Sequence, residues 1–202
     1  MAEPPPLLHI LAGPNGAGKS TLYETHIHRL TAVEFVNADL LARATLGHHA
    51  STIEEGALGQ RLAEERRAEL IGSRTGFVME STFSHPSKVD LVREARAAGY
   101  RVVVYHISLD SADLAVARVE FREREGGHPV PEDRIRGRYD RNPDLIRQAV
   151  MLADWAFVFD NSRLGAPPRR LLSFRAGVVT DAAADLPAWA RDLYGADLGG
   201  ER

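Results

Sequence analysis

The feature that most constrains this chain is a glycine-rich run near its start, Gly-Pro-Asn-Gly-Ala-Gly-Lys-Ser over residues 13–20. The run has the spacing G-x-x-x-x-G-K-S and lies between an apolar stretch at residues 7–12 and a helical pattern at residues 19–30. Glycines let successive backbone N–H groups turn toward an anion, and the start of the helix adds its positive dipole end. The run therefore predicts a P-loop that binds nucleoside triphosphate.

Within this loop, each position has an expected role toward ATP and Mg²⁺. Lys19 is expected to reach the β- and γ-phosphates as a catalytic residue, and Ser20 to be a Mg²⁺ ligand. Only Lys19 and Lys88 among the 25 basic residues are lysines, which favours a need for a compact ammonium group at position 19. A glycine turn with no ligand is the alternative. The other expected nucleotide-binding residues of the loop are Gly13, Pro14, Asn15, Gly16, Ala17, Gly18 and Thr21.

The rest of the chain alternates short apolar runs with helical patterns, which implies right-handed crossovers and a parallel sheet. We expect an α/β fold of the P-loop NTPase type, a three-layer sandwich with helices on both faces of a mostly parallel, five- to six-stranded sheet. A single domain is expected over residues 1–202, with a helical lid at about 118–141 and a C-terminal extension at about 164–202. Predicted strands lie at residues 7–12, 35–38, 76–79, 101–109, 155–160 and 171–174, and separate helices are predicted to open at residue 131 and to span 143–153.

Composition narrows the expected ligands and location. The net charge is −3 with acids and bases interspersed, so no basic surface for nucleic acid or an anionic membrane is expected. Cysteine is absent from the sequence, which excludes disulfides and cysteine-bound zinc, and the histidines form no convincing metal set. Without a signal-peptide pattern or an apolar run of about 20 residues, we expect a cytoplasmic protein with a small soluble ligand.

An acidic residue follows the second predicted strand. Asp39 is expected to project from the carboxyl edge of the sheet near the γ-phosphate, where it can accept a hydroxyl proton from a substrate. The alternative is an N-cap for a helix that begins at Leu40, and both roles could coexist.

A second acid ends the third strand. Glu80 follows the apolar run Phe-Val-Met, where burying a carboxylate is costly unless cations or donors meet it. We expect Glu80 to orient substrate or to belong to the Mg²⁺ shell; the alternative is that it caps the strand-helix turn through Ser81 and Thr82. Thr82 and His128 are further candidates for substrate binding.

Arginines flank a glycine-proline break in the predicted lid. Such a lid can close over the nucleotide and place guanidinium groups on the transferring phosphoryl group. The alternative is a solvated face, because acids at positions 120, 123, 125, 132 and 133 could neutralise these arginines. Asn161, after the fifth strand, is expected near the adenine. The candidate catalytic lid residues are Arg118, Arg122, Arg124, Arg134 and Arg138.

In this order along the chain, the motifs resemble those of the zeta-toxin family of P-loop kinases, from about residue 8 to about residue 162. The resemblance implies that ATP phosphorylates a hydroxyl, with the sugar of UDP-N-acetylglucosamine as the substrate, and that any antitoxin is a separate protein. It also implies that Lys19 binds phosphate, Asp39 is the base and Glu80 is the strand-end acid. The motifs that carry it are Gly13-Pro14-Asn15-Gly16-Ala17-Gly18-Lys19-Ser20-Thr21, Val36-Asn37-Ala38-Asp39, Glu80-Ser81-Thr82-Phe83, Gly126-Gly127-His128-Pro129-Val130-Pro131 and Phe159-Asp160-Asn161-Ser162.

Other classes stay open at this point. A small-metabolite kinase of the gluconate or shikimate type would share the loop, the base and the lid. A motor or transport subunit would need a Leu-Ser-Gly-Gly-Gln signature and an acidic pair after an apolar strand, and the sequence has neither. An ATP-binding switch or ATPase without kinase activity would use Asp39 only as a cap.

Overall fold

The structure is a computed structural model that describes residues 4–127 and 129–199. Seven described strands form one sheet, in the order β2-β3-β1-β4-β5-β6-β7. The strands are β1 (Leu7–Ala12), β2 (Glu34–Val36), β3 (Phe77–Ser81), β4 (Arg101–Ser108), β5 (Trp155–Asp160), β6 (Arg169–Arg175) and β7 (Val178–Ala182). The α-helices are α1 (Lys19–Leu22), α2 (Ala38–Leu46), α3 (Ile53–Gly72), α4 (Ser87–Ala97), α5 (Ala112–Arg124), α6 (Glu132–Leu152) and α7 (Ala188–Leu198).

The first five strands are parallel, and β6 and β7 are added antiparallel at one edge. This confirms the P-loop type of α/β fold and the mostly parallel sheet, but the prediction of five to six strands is one strand short. The missed strand, β7, is largely exposed and so lacks an apolar pattern. Its hairpin turns at Ala176 and Gly177, with φ of 49° and 77°, and alanine is an unusual residue for such a turn.

Both faces of the parallel sheet are covered, so its strands are buried on both sides. Side chains alternate along β4: Val102 and Val104 belong to one apolar cluster, and Val103 and Tyr105 to the other. Residues of α3, α4, α7 and the second half of α6 pack in the first cluster, and residues of α1, α5 and the first half of α6 in the second. This arrangement holds the carboxyl ends of β1, β3, β4 and β5 at one edge.

Two helical segments differ from the sequence prediction. The helix predicted over residues 19–30 is α-helical only over Lys19–Leu22 and continues as a π-helix over Tyr23–Ile27. The two helices predicted around Pro143 are one, because α6 runs through this proline. A proline in a helix interior costs one backbone hydrogen bond, and burial of Ile135 and Ile146 on either side keeps the helix continuous.

Within the described residues, none of the helices is long and apolar enough to cross a membrane.

Candidate active site

The glycine-rich loop joins β1 to α1, and it encloses the ammonium group of Lys19. This side chain is 6% exposed, and its Nζ donates to the Pro14 carbonyl at 2.9 Å and lies 3.7 Å from Glu80 Oε1. Burial lowers the pKa of Lys19, and the charge of Glu80 is the largest opposing effect. The loop therefore holds a desolvated cation at the start of a helix, which is the environment that binds phosphate.

The loop also fits tightly against its neighbours. Gly18 has a φ of 88°, and a Cβ there would lie 2.5 Å from Asn161 Nδ2. A Cβ on Gly13 would overlap the backbone carbonyl oxygen of Ile107. Asn161 Nδ2 donates to the Ala17 carbonyl at 2.8 Å, so the residue expected near adenine supports the loop directly. Substitution of either glycine would displace the loop from β4 or β5.

Glu80, at the end of β3, connects the loop with α2. Its Oε2 accepts from Ser20 Oγ at 2.8 Å and from Asn37 Nδ2 at 3.0 Å. The alternative role for Glu80, capping the following turn, is wrong, because Ser81 Oγ accepts from the Phe83 N–H at 2.9 Å and fills that role. A hydroxyl and a carboxylate at this separation are oxygen ligands of the kind that Mg²⁺ uses beside phosphate, so Ser20 and Glu80 fit the ion.

Asp39 lies in the first turn of α2, with its carboxylate exposed. The alternative assignment of Asp39 as an N-cap is wrong, since the helix begins at Ala38 and Asn37 is the cap. Asn37 Oδ1 accepts from the N–H groups of Asp39 and Leu40 at 2.9 and 3.1 Å. The Asp39 side chain is thereby left available for other partners, and its charge raises the pKa of Lys19 against the effect of burial.

Asn37 is the site residue that the sequence reasoning missed. It is buried, it caps α2 at the backbone N–H of Asp39, and its amide donates to the Glu80 carboxylate, so one side chain links both acids of the site. A signal for it existed in the sequence, because asparagine between a strand and a helix is among the preferred N-cap residues.

Two of the lid arginines lie close to Lys19. Arg138 of α6 donates from Nη1 to Asn15 Oδ1 of the loop at 3.2 Å. Burial lowers the pKa of Arg138, as does the charge of Arg134, while the charge of Asp39 opposes this shift. Arg122 of α5 is near enough for its charge to lower the pKa of Lys19. Helices α5 and α6 of the predicted lid therefore each carry an arginine whose charge acts on Lys19.

The other lid arginines lie elsewhere. Arg124 is 76% exposed and pairs with Glu120 at 3.8 Å. This is the alternative given for the lid arginines, a solvated face neutralised by nearby acids. Arg134 is exposed beside Arg138. Arg118 is half-buried, its Nε is buried without a hydrogen-bond partner, and burial lowers its pKa while the charge of Asp160 opposes the shift.

Arg118 lines a pocket of about 290 Å³ on the outer side of α1. Thr21, Thr25 and Asn161 line the same pocket, together with parts of residues 163–168. The pocket thus places Arg118, Thr21 and Asn161 together, and neither Asp39 nor Glu80 is among its lining residues.

Thr82 and His128 are the two remaining candidates for substrate binding, and the structure describes only Thr82. Thr82 lies at the loop after β3, with its Oγ1 3.3 Å from Ser84 Oγ. Its carbonyl accepts from Asn142 Nδ2 of α6 at 3.2 Å, which joins this loop to the lid helix. His128 lies outside the described residues.

Comparison of the sequence with protein families gives one match that spans most of the chain. Residues 8–141 match the family AAA_33, described as an AAA domain. An uncharacterised protein of Haemophilus influenzae is 28% identical over 127 residues, which are 63% of this chain and 88% of that protein.

Solved structures show a related fold at low identity. The crystal structure of AvrRxo1-ORF1:-ORF2 with ATP matches at a TM-score of 0.66 and 18% identity, over 95% of this chain and 63% of that one. The PezAT chromosomal toxin-antitoxin system of Streptococcus pneumoniae matches at 0.58 and 13% identity, over 100% of this chain and 82% of that one. The chain spans just under two thirds of the AvrRxo1 chain. Together with the family match, these similarities show a P-loop NTPase-like α/β fold.

Proposed function

The chain belongs to the AAA_33 family of AAA domains, and on that premise we propose that it is an ATP-dependent phosphotransferase that phosphorylates a hydroxyl group of a small molecule. The observation that carries the proposal is the cluster around Lys19. There Glu80 contacts Lys19 and Ser20, Arg138 donates to Asn15 of the loop, and the charges of Asp39 and Arg122 act on Lys19. A nucleotide switch would need the phosphate loop, but it would not need a carboxylate left free beside converging guanidinium groups.

The nucleotide is held from two sides. The loop N–H groups and Lys19 would bind the β- and γ-phosphates. Ser20 and Glu80 would hold Mg²⁺, which would supply charge neutralisation for the phosphates. The adenine ring of ATP lies in the pocket of Arg118, Thr21 and Asn161, where the planar guanidinium group of Arg118 can stack on it.

Transfer requires a base on the acceptor side of the loop, and Asp39 is that base. The acceptor hydroxyl gives its proton to the Asp39 carboxylate, its oxygen bonds to the γ-phosphorus, and the bond from that phosphorus to the β-γ bridging oxygen breaks to release ADP. Arg122 and Arg138 stabilise the negative charge on the transferring group. Asn37 fixes the direction of the Glu80 carboxylate and the backbone position of Asp39 through its hydrogen bonds.

The acceptor is an anionic metabolite, and we propose the sugar of UDP-N-acetylglucosamine or a related nucleotide sugar. Arg134 and Arg141 both add positive charge around Arg138, where their charges lower its pKa. This surplus suits an acceptor that carries phosphate. A small hydroxy acid of the gluconate or shikimate type would meet the same charges and is the alternative. As the matched toxin-antitoxin system suggests, a separate protein partner would restrain the enzyme.

An untargeted experiment tests the reaction without assuming its substrate. The protein is incubated with Mg²⁺, ATP and a small-molecule cell extract, and mass spectrometry identifies metabolites that gain one phosphate. We expect a nucleotide sugar to gain phosphate with the wild type and not with Lys19→Met. A phosphorylated hydroxy acid would support the alternative, and ATP hydrolysis with no phosphorylated metabolite would contradict the proposed reaction.

A further inference from the structure

Helix α7, in the C-terminal extension, is fixed firmly to the sheet. Tyr194 is fully buried, and its hydroxyl lies 2.8 Å from Nδ1 of the buried His106 on β4. The ring of Trp189 meets the same histidine edge-on, with centroids 5.5 Å apart. Arg147 of α6 forms a bidentate pair with Asp197 near the end of α7, the shortest contact being 2.7 Å. The start of the helix, at Trp189, is therefore held at a defined place.

That place is the carboxyl end of β5. Trp189 Nε1 donates to Asp160 Oδ1 at 3.4 Å. The same oxygen accepts from the N–H and the hydroxyl of Ser162, at 3.3 and 2.5 Å. Ser162 Oγ in turn accepts from the N–H of Asp110, the residue that follows β4 and Leu109. Asp160 is 8% exposed, so its carboxylate is a nearly buried junction between α7 and two loops.

The residue next to this junction in the sequence contacts the phosphate loop. Asn161 follows Asp160 directly, donates to the Ala17 carbonyl at 2.8 Å and fits against Gly18. The charge of Asp160 also acts on Arg118, which lines the same pocket as Asn161. Any shift of Asp160 would move the side chain that supports the loop and one wall of the pocket together.

We infer that Trp189 is a positioning residue for ATP: its indole N–H fixes Asp160, and through Asp160 it sets the Asn161 amide against the phosphate loop. The inference rests on the proposed function, since it takes this loop and pocket as the ATP site. It assigns the C-terminal extension a role in nucleotide affinity, separate from the acceptor side, where Asp39 and Glu80 lie.

The test is Trp189→Phe, which keeps an aromatic ring against His106 and removes the N–H donor. We expect the ATP Kd, measured by calorimetry on the full chain, to weaken by up to roughly fivefold, which is the equivalent of one whole hydrogen bond. The KM for ATP should rise by a similar factor, while the KM for the phosphate acceptor stays unchanged. Ser162→Ala removes another hydroxyl donor to the same Asp160 oxygen. It should likewise raise the KM for ATP and not that for the acceptor, which preserves the test if the tryptophan variant folds poorly.

Tyr194→Phe is the matched control, since it removes one hydrogen bond of α7 but keeps the buried ring and the Arg147–Asp197 pair, which hold Trp189 in place. It should lower the thermal midpoint and leave the ATP Kd unchanged. Wild-type ATP affinity in both Trp189→Phe and Ser162→Ala would overturn the inference, as would an equal weakening in Tyr194→Phe. If the wild type itself did not bind ATP, that result would contradict the proposed function, and the inference that rests on it would be contradicted as well.

Discussion

The Ser20 hydroxyl donates to a carboxylate oxygen of Glu80 across 2.8 Å, joining the phosphate loop to the end of a neighbouring strand. The geometry places two oxygen ligands side by side where the phosphates of a nucleotide would arrive. Asn37 donates to the same Glu80 oxygen and so fixes its direction. The pair is the part of the site that best accounts for a need for Mg²⁺.

Glu80→Gln should therefore raise the Mg²⁺ concentration needed for half-maximal transfer. The amide can keep the contact with Ser20 but binds the cation more weakly, and we expect a shift of about tenfold or more. A Mg²⁺ titration of the transfer rate measures it. Glu65→Gln, an exposed acid on α3, is the control and should not change the titration. An unchanged midpoint for Glu80→Gln would remove this residue from the metal site.

Lys19→Met should abolish ATP binding without unfolding the protein. The ammonium group is desolvated in the fold, and burial lowers its pKa, so an apolar side chain of similar length removes an unfavourable burial. We expect an equal or higher thermal midpoint together with no ATP binding by calorimetry. Lys88→Met, at the other lysine of the chain, should bind ATP normally. Retained ATP affinity in Lys19→Met would contradict the phosphate-binding role.

Arg138→Ala should slow phosphate transfer by roughly 10²-fold or more, the scale of losing one transition-state donor. ATP affinity should fall much less, because the loop and Lys19 remain. Arg124→Ala is the control, since Arg124 is exposed and pairs with Glu120. Single-turnover rates at saturating ATP separate the two variants. Equal rates for them would mean that the lid acts without Arg138.

Burial lowers the pKa of His106 to about 3, compared with 6.5 for the free side chain. Between these values the unfolded chain binds a proton that the folded chain does not, so the free energy of unfolding falls as the pH falls. The slope from this residue is about 1.4 kcal/mol per pH unit below pH 6.5. Urea unfolding from pH 7 to pH 4 should show a shallower slope for His106→Gln. Parallel slopes would contradict this titration.

The sequence predicted the loop, the parallel sheet and the positions of both acids, because each depends on local spacing. Glycines, a lysine and a serine at fixed intervals specify one kind of turn, and an acid after an apolar strand specifies one edge of the sheet. The role of Asn37 was also within reach of local rules, since it is an N-cap.

The arginines could not be resolved in the same way. Arg118 and Arg122 share a helical spacing, yet Arg118 lines the pocket beside Asn161 while Arg122 acts on Lys19. Which way each side chain lies depends on how α5 packs against the loop, and helical period alone does not fix that. The contact between Trp189 and Asp160 joins residues that are 29 apart in the sequence. It depends on tertiary packing, so no local sequence pattern predicts it.

The central claim is that Asp39 is the base for phosphate transfer to a hydroxyl. The most direct measurement compares ATP affinity and single-turnover transfer for the wild type and Asp39→Asn, with the acceptor found in the extract experiment. We predict ATP binding within about twofold of the wild type and a transfer rate lower by roughly 10²-fold or more. Near-normal transfer by Asp39→Asn would contradict the account.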